Sequence, residues 1–155
     1  MPDHPAFDLN TAHRFFSAEC FNRTWNFIEK SPRTAEEDQH MLMTAFASLW
    51  HWTQRSDCTR QNLSVGYWQV SRVFVLLKQA GPALQYATRC LEYSQGEPPF
   101  YAGYAYEAVA RAEALAGKFS QAREAVAQAR ALGDQMADAQ ARQMLLTDLE
   151  SIPLE

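Results

Sequence analysis

A chain of 155 residues is long enough to bury a real core and is most simply one domain. With 47% hydrophobic and 12% aromatic residues, it falls outside the disordered class. A net charge of −4, with the arginines spread along the chain, excludes the general attraction to nucleic acid or anionic lipid that a basic excess brings.

Cys20, Cys58 and Cys90 show no metal-type spacing, and Cys20 and Cys90 fall in apolar helical patterns, where a free thiol packs as a small hydrophobe. Their odd number favours a reducing interior. The opening MPDHPAFDLN has neither a basic start nor an apolar core, and no apolar run reaches the length of a membrane span. A soluble, cytoplasmic protein without membrane contact is expected.

Pro2 and Pro5 mark a short irregular leader. From about Leu9 to Lys30 the pattern is helical, with Phe16, Cys20 and Phe27 on one side and Phe21, Trp25 and Ile28 on another. A stripe that wide predicts burial against more than one neighbour in the core, with a homodimer contact as the other reading. Ser31-Pro32-Arg33 ends this helix. Thr34 with Glu37 forms a capping-box pattern opening a second helix to about Gln54, with Leu42, Phe46 and Leu49 on its buried face.

A third helix is predicted from about Gln61 to Gln79, with Gly66 inside it as a packing concession or a weak spot. Gly81 suits the left-handed helix end and Pro82 the first position of a fourth helix, running to Ser94. After the connector Gly96-Glu97-Pro98-Pro99, a fifth helix spans about Phe100 to Ala116 and a sixth about Ser120 to Leu132. A last helix, about Met136 to Glu150, carries Ala141, Met144 or Leu145, Leu149 and Ile152 as its stripe. No stretch alternates with period two for long enough to be a strand, so the chain is predicted to be all-α.

Two of these helix pairs repeat. Ala83, Ala87 and Cys90 match Ala122, Val126 and Ala129, while Tyr67, Val70 and Ser71 match Tyr106, Val109 and Ala110, at an offset of 39 residues. This resembles the tetratricopeptide-repeat (TPR) family, whose period is about 34 residues, with the surplus falling around Gly96 to Phe100. The resemblance covers about Gln61 to Leu132. It departs at Ser71, at Glu113 where the other copy has Phe74, and in lacking the terminal proline. SLWHWTQ, SVGYWQVSRV and YAYEAVARAEALAG also resemble a group of uncharacterised bacterial TPR-like proteins, which implies no activity.

The resemblance implies a right-handed superhelix of about seven antiparallel helices. It would contain an N-terminal hairpin (9–55), two repeats (61–95 and 100–132) and a capping helix (136–150). Stacking supports the same architecture, because a lone hairpin exposes an apolar face that only a neighbour can bury.

In the family, the first helix of each repeat lines a concave peptide-binding groove. Carried over by position, the groove residues are Trp68 and Arg72, Glu107 and Arg111, and Tyr104. Each of the first two pairs is four residues apart and shares a helix face. Trp, Tyr and Arg recur at binding hot spots, and arginine grips carboxylates in bidentate fashion. The alternative is structural: Arg72 pairs with Glu107 between stacked helices while Trp68 packs as core.

His51, between Trp50 and Trp52, is a further candidate beside the groove. Glu37 and His40 form a Glu-x-x-His motif, but no second copy exists, and His51 lies eleven residues on, about 16 Å along a helix. No nucleophile elbow, phosphate loop or zinc motif occurs. The expectation is a non-catalytic, cofactor-free scaffold that binds a protein or peptide. The runner-up is a small-molecule or regulatory domain with a pocket around His51, Trp68, Arg72, Tyr104 and Glu107.

Overall fold

The computed structural model describes residues 6–155; the leader expected at Pro2 and Pro5 lies outside them. Asp8, Thr34, Thr59 and Asp138 each sit in extended backbone and accept hydrogen bonds from free N–H groups of the following turn. They open α1 (Leu9–Ile28), α2 (Ala35–Thr53), α3 (Arg60–Leu76) and α7 (Ala139–Glu150). The predicted capping box is complete, with Thr34 Oγ1 accepting from the Glu37 N–H at 3.2 Å and the Glu37 carboxylate from the Thr34 N–H at 2.9 Å. Between α3 and α7 come α4 (Ala80–Ser94), α5 (Pro99–Leu115) and α6 (Phe119–Gly133). All seven elements are α-helices, and the described residues contain no strand.

Each helix packs on the next along the chain, and in addition α1 meets α3, α3 meets α5 and α5 meets α7. Among the described residues, no two even-numbered helices bring Cα atoms within 8 Å of each other. The odd-numbered helices therefore form the more closely spaced layer.

The aligned ladders are both internal. Ala83, Ala87 and Cys90 are buried on α4, as are Ala122, Val126 and Ala129 on α6. One core cluster joins Met41, Ala45 and Leu49 to Val70, Val73 and Phe74; a second joins Ala110, Ala122 and Val126 to Leu145, Leu149 and Ile152. Small side chains bring helix axes close, and burial of the large ones supplies the driving force. Gly66 is a packing concession, since a Cβ there would stand 2.9 Å from Leu49 Cδ1.

The turn between α3 and α4 differs from the expectation. The left-handed residue is Lys78, with φ 61°, and not Gly81. Helix α4 starts at Ala80, so Gly81 and Pro82 lie inside its first turn, where a proline's missing N–H forfeits no bond. In α3 the Gln79 N–H donates to Phe74 O at 2.9 Å and the Lys78 N–H to Val75 O at 3.0 Å. The turn from α5 repeats both bonds, Lys118 to Glu113 O at 2.9 Å and Gly117 to Ala114 O at 3.0 Å. Both are Schellman endings.

The expectation of a wholly buried apolar stripe on α1 also needs correction. Its buried side chains are Ser17 and Thr24, whereas Phe15 and Phe16 are exposed. Polar contacts join this hairpin: Ser48 Oγ donates to Ser17 O at 2.7 Å, and Thr24 Oγ1 donates to Thr44 Oγ1 at 2.9 Å. Phe27 and Ile28 do pack on the core. No helix among the described residues is long and apolar enough to cross a membrane.

Candidate functional site

An aromatic pit opens in the odd-numbered layer. Trp25 of α1 stacks on Trp68 of α3, with ring centroids 5.7 Å apart and planes 30° apart. Tyr104 of α5 meets Trp68 edge-on at 5.9 Å and 88°, and Phe100 leans on Tyr104 at 5.1 Å. With Phe21, Tyr101 and Met144 they line a cavity of about 310 Å3. That is the lower end of the volumes that hold ligands, roughly 300–1,000 Å3. Asp148 of α7 is the one charged side chain lining it among the described residues, and Ser64 and Cys90 add small polar points.

Behind the rings lies a buried ion pair. Glu107 is 1% exposed; its Oε2 accepts from Trp68 Nε1 at 2.8 Å, and its Oε1 accepts from Arg111 Nε. Arg111 Nη2 also donates to Asp148 O and to Ser151 Oγ, each at 2.9 Å, which ties α5 to the end of α7. Tyr104 Oη donates to Asp148 Oδ2 at 3.0 Å. Burial and the neighbouring Asp148 carboxylate push the Tyr104 phenol above its ordinary value, so it stays a protonated donor.

The sequence-derived candidates separate into four groups. Trp68 and Tyr104 are pit walls. Glu107 and Arg111 share a face but lie beneath the pit as its support, too buried to offer an open surface. The Arg72–Glu107 pair of the alternative reading is absent; the two Glu107 oxygens accept from Trp68 and Arg111 instead. Arg72 is half-buried, does not line the cavity and has no hydrogen-bond or ion-pair partner among the described residues. Burial, and then the charge of Arg111, hold its guanidinium below the ordinary value, with Glu107 and Asp148 opposing.

His51 belongs elsewhere, so the pocket grouping it with Trp68 is corrected. Its Nδ1 is 2.8 Å from His13 Nδ1, and its ring lies against Phe16 and Trp50. At that distance one imidazole must donate and the other accept. Burial, and then His13, hold His51 below its ordinary value.

Phe21, Trp25, Phe100, Tyr101, Met144 and Asp148 are pit residues that the groove rule did not name. A signal for three of them was present: Phe21 and Trp25, like Phe100 and the already named Tyr104, are aromatic pairs four residues apart and so share a helix face. Trp68 follows Ser64 at the same spacing.

Among the described residues, no three His, Cys, Asp or Glu side chains converge as a metal site would require. The Cys90 thiol is pushed up to about 12 by burial, so it is protonated at neutral pH and a poor nucleophile. Set against protein-family models, curated proteins and solved structures, the chain matches none, and the geometry of the pit stands as the ground for a functional reading.

Proposed function

We propose that this is a non-catalytic binding protein, a short TPR-like superhelix that holds one side chain of a partner polypeptide in the aromatic pit. The observation that carries the reading is the pit itself: six aromatic side chains and Met144, from four separate helices, around about 310 Å3. Apolar side chains left half-exposed around a cavity are unfavourable unless something fills it. The 39-residue offset, reproduced in both Schellman turns, and the close spacing of the odd-numbered helices support a TPR-like architecture with that layer inside. The inert thiol beside the pit favours holding over chemistry. Three free cysteines suit a reducing compartment.

A free small molecule is the second reading, favoured by a cavity too small for a long peptide segment. Selection of displayed random peptides on the intact chain, with Phe100→Ala as the comparison protein, separates the two. Phe100 is 37% exposed and belongs to neither core cluster, so Phe100→Ala is expected to stay folded, which its melting curve checks. Enriched peptides sharing one anchor side chain and binding Phe100→Ala at least about tenfold more weakly are expected for a hot-spot contact. Peptides that bind both proteins equally, or no enrichment at all, would sink the polypeptide reading.

A further inference from the structure

The walls of the pit are rich in ring faces and poor in free donors. Four of its rings carry an N–H or O–H, and three of those are already used: Trp68 Nε1–H on Glu107, Tyr104 Oη–H on Asp148 and Tyr101 Oη–H on Gln61 Oε1 at 2.8 Å; the fourth, Trp25 Nε1–H, has no hydrogen-bond partner among the described residues. The Ser64 hydroxyl lies against Cys90 Sγ at 3.6 Å. An anion or a carbonyl entering the pit would find three of the four ring donors committed. A cation would find the negative faces of several aromatic rings and one carboxylate. That carboxylate, Asp148, uses Oδ2 to accept from Tyr104, while Oδ1 has no protein donor among the described residues. No Lys, Arg or His lines the cavity among the described residues. Arg72 stands behind, near enough to Asp148 to feel its charge but outside the pit walls.

We propose that the group held in the pit is an alkylated ammonium, a cation with an apolar body, caged by Trp25, Trp68, Phe100 and Tyr104 and neutralised by Asp148. This rests on the reading of the pit as a binding site and adds the chemistry of the occupant. Alkyl groups match the apolar walls, and the spread charge is attracted to the ring faces without a directional hydrogen bond. A bare ammonium is more strongly hydrated and would lose more on entry.

The test uses three isosteres and a side-chain analogue: choline, neutral 3,3-dimethylbutan-1-ol, anionic 3,3-dimethylbutyrate, and capped trimethyl-lysine amide. Each is titrated against the intact chain while the Trp68 indole N–H resonance is followed, its assignment fixed by the signal missing from Trp68→Phe. Choline is expected to bind at least about tenfold tighter than either isostere, the scale of a desolvated cation–ring contact plus a carboxylate. In Asp148→Asn that preference should fall to about threefold or less while the neutral isostere binds as before. Tighter binding of capped trimethyl-lysine assigns the cation to a partner side chain; tighter choline binding assigns it to a free amine. Either result supports the proposal. If the neutral compound equals choline, the pit is a site but not a cation site. If the anion binds best, Arg72 sets the ligand charge and the proposal falls. If none shifts the indole, both the proposal and the pit as a binding site fall.

Discussion

Lys78 holds φ at 61° and Gly117 at 74°, in turns closed by the same pair of backbone bonds. Left-handed geometry costs a side-chain-bearing residue about 1–2 kcal/mol, and glycine's greater unfolded freedom returns part of that. Lys78→Gly should therefore stabilise the protein by about 0.5–1 kcal/mol, and Gly117→Ala should destabilise it by about 1 kcal/mol. Urea midpoints measure both; equal midpoints for Lys78→Gly and the parent would mean that Lys78 is unstrained. The left-handed position was misplaced in the sequence because a Gly-Pro pair stands three residues further on and draws the turn toward itself.

The Glu107–Arg111 pair makes a second prediction at this scale. Arg111→Met leaves a carboxylate 1% exposed without its cation, at a cost of about 3–5 kcal/mol. Adding Glu107→Leu removes the stranded charge, so the double variant should recover much of the loss in a urea denaturation cycle. Stability that falls further in the double variant would show that the ion pair is not what Arg111 supplies. Their i, i+4 spacing was legible in the sequence; their burial was not, because nothing local reveals that α3 and α7 close over them.

Among elements, the α1–α2 hairpin was the least legible. Its buried contacts run through Ser17, Thr24, Thr44 and Ser48, so a search for apolar periodicity looks past the interface and finds the exposed Phe16 instead. Close approach with hydroxyls bonded to carbonyl or hydroxyl partners stabilises this contact in place of bulk burial. The His13–His51 link bridges the same two helices. The lowered His51 value means that the unfolded chain binds a proton more readily than the folded one. This contribution to stability is present above the ordinary value of 6.5 and is lost as pH falls through the lowered folded value. Between pH 7 and 5 the parent should lose more thermal stability than His51→Asn, which keeps a hydrogen-bonding side chain that does not titrate. Parallel pH profiles would remove His51 as a contributor.

At the scale of the whole molecule, helix number and the repeated pairs were readable because each depends on local spacing and on residues recurring at one offset. The pit was not, because it belongs to no segment. Phe100 and Tyr101 read as the first turn of the fifth helix, and Phe21 and Trp25 as core, until α1, α3, α5 and α7 are set side by side. The groove rule carried over from repeat positions found two walls, Trp68 and Tyr104, because those positions lie in the closely spaced odd-numbered layer. It missed the walls supplied by α1 and α7, which lie outside the two repeats, and Phe100 and Tyr101 at the start of α5, which precede the repeat positions it used.

The pit walls begin at Phe21 and end at Asp148, so no single hairpin contains a pit. Occupancy is therefore thermodynamically linked to complete assembly: a ligand binds the full row of helices and has nothing equivalent to bind in a partly unfolded chain. At a hundred times its Kd, such a ligand adds about 2.7 kcal/mol to global stability, which for a chain of this length is a rise of roughly 5–10 °C in Tm. On the proposed reading, the melting temperature of the whole molecule is a gauge of what occupies one cavity, and opening of a distant hairpin weakens apparent affinity, without touching a ring, once the open form is populated.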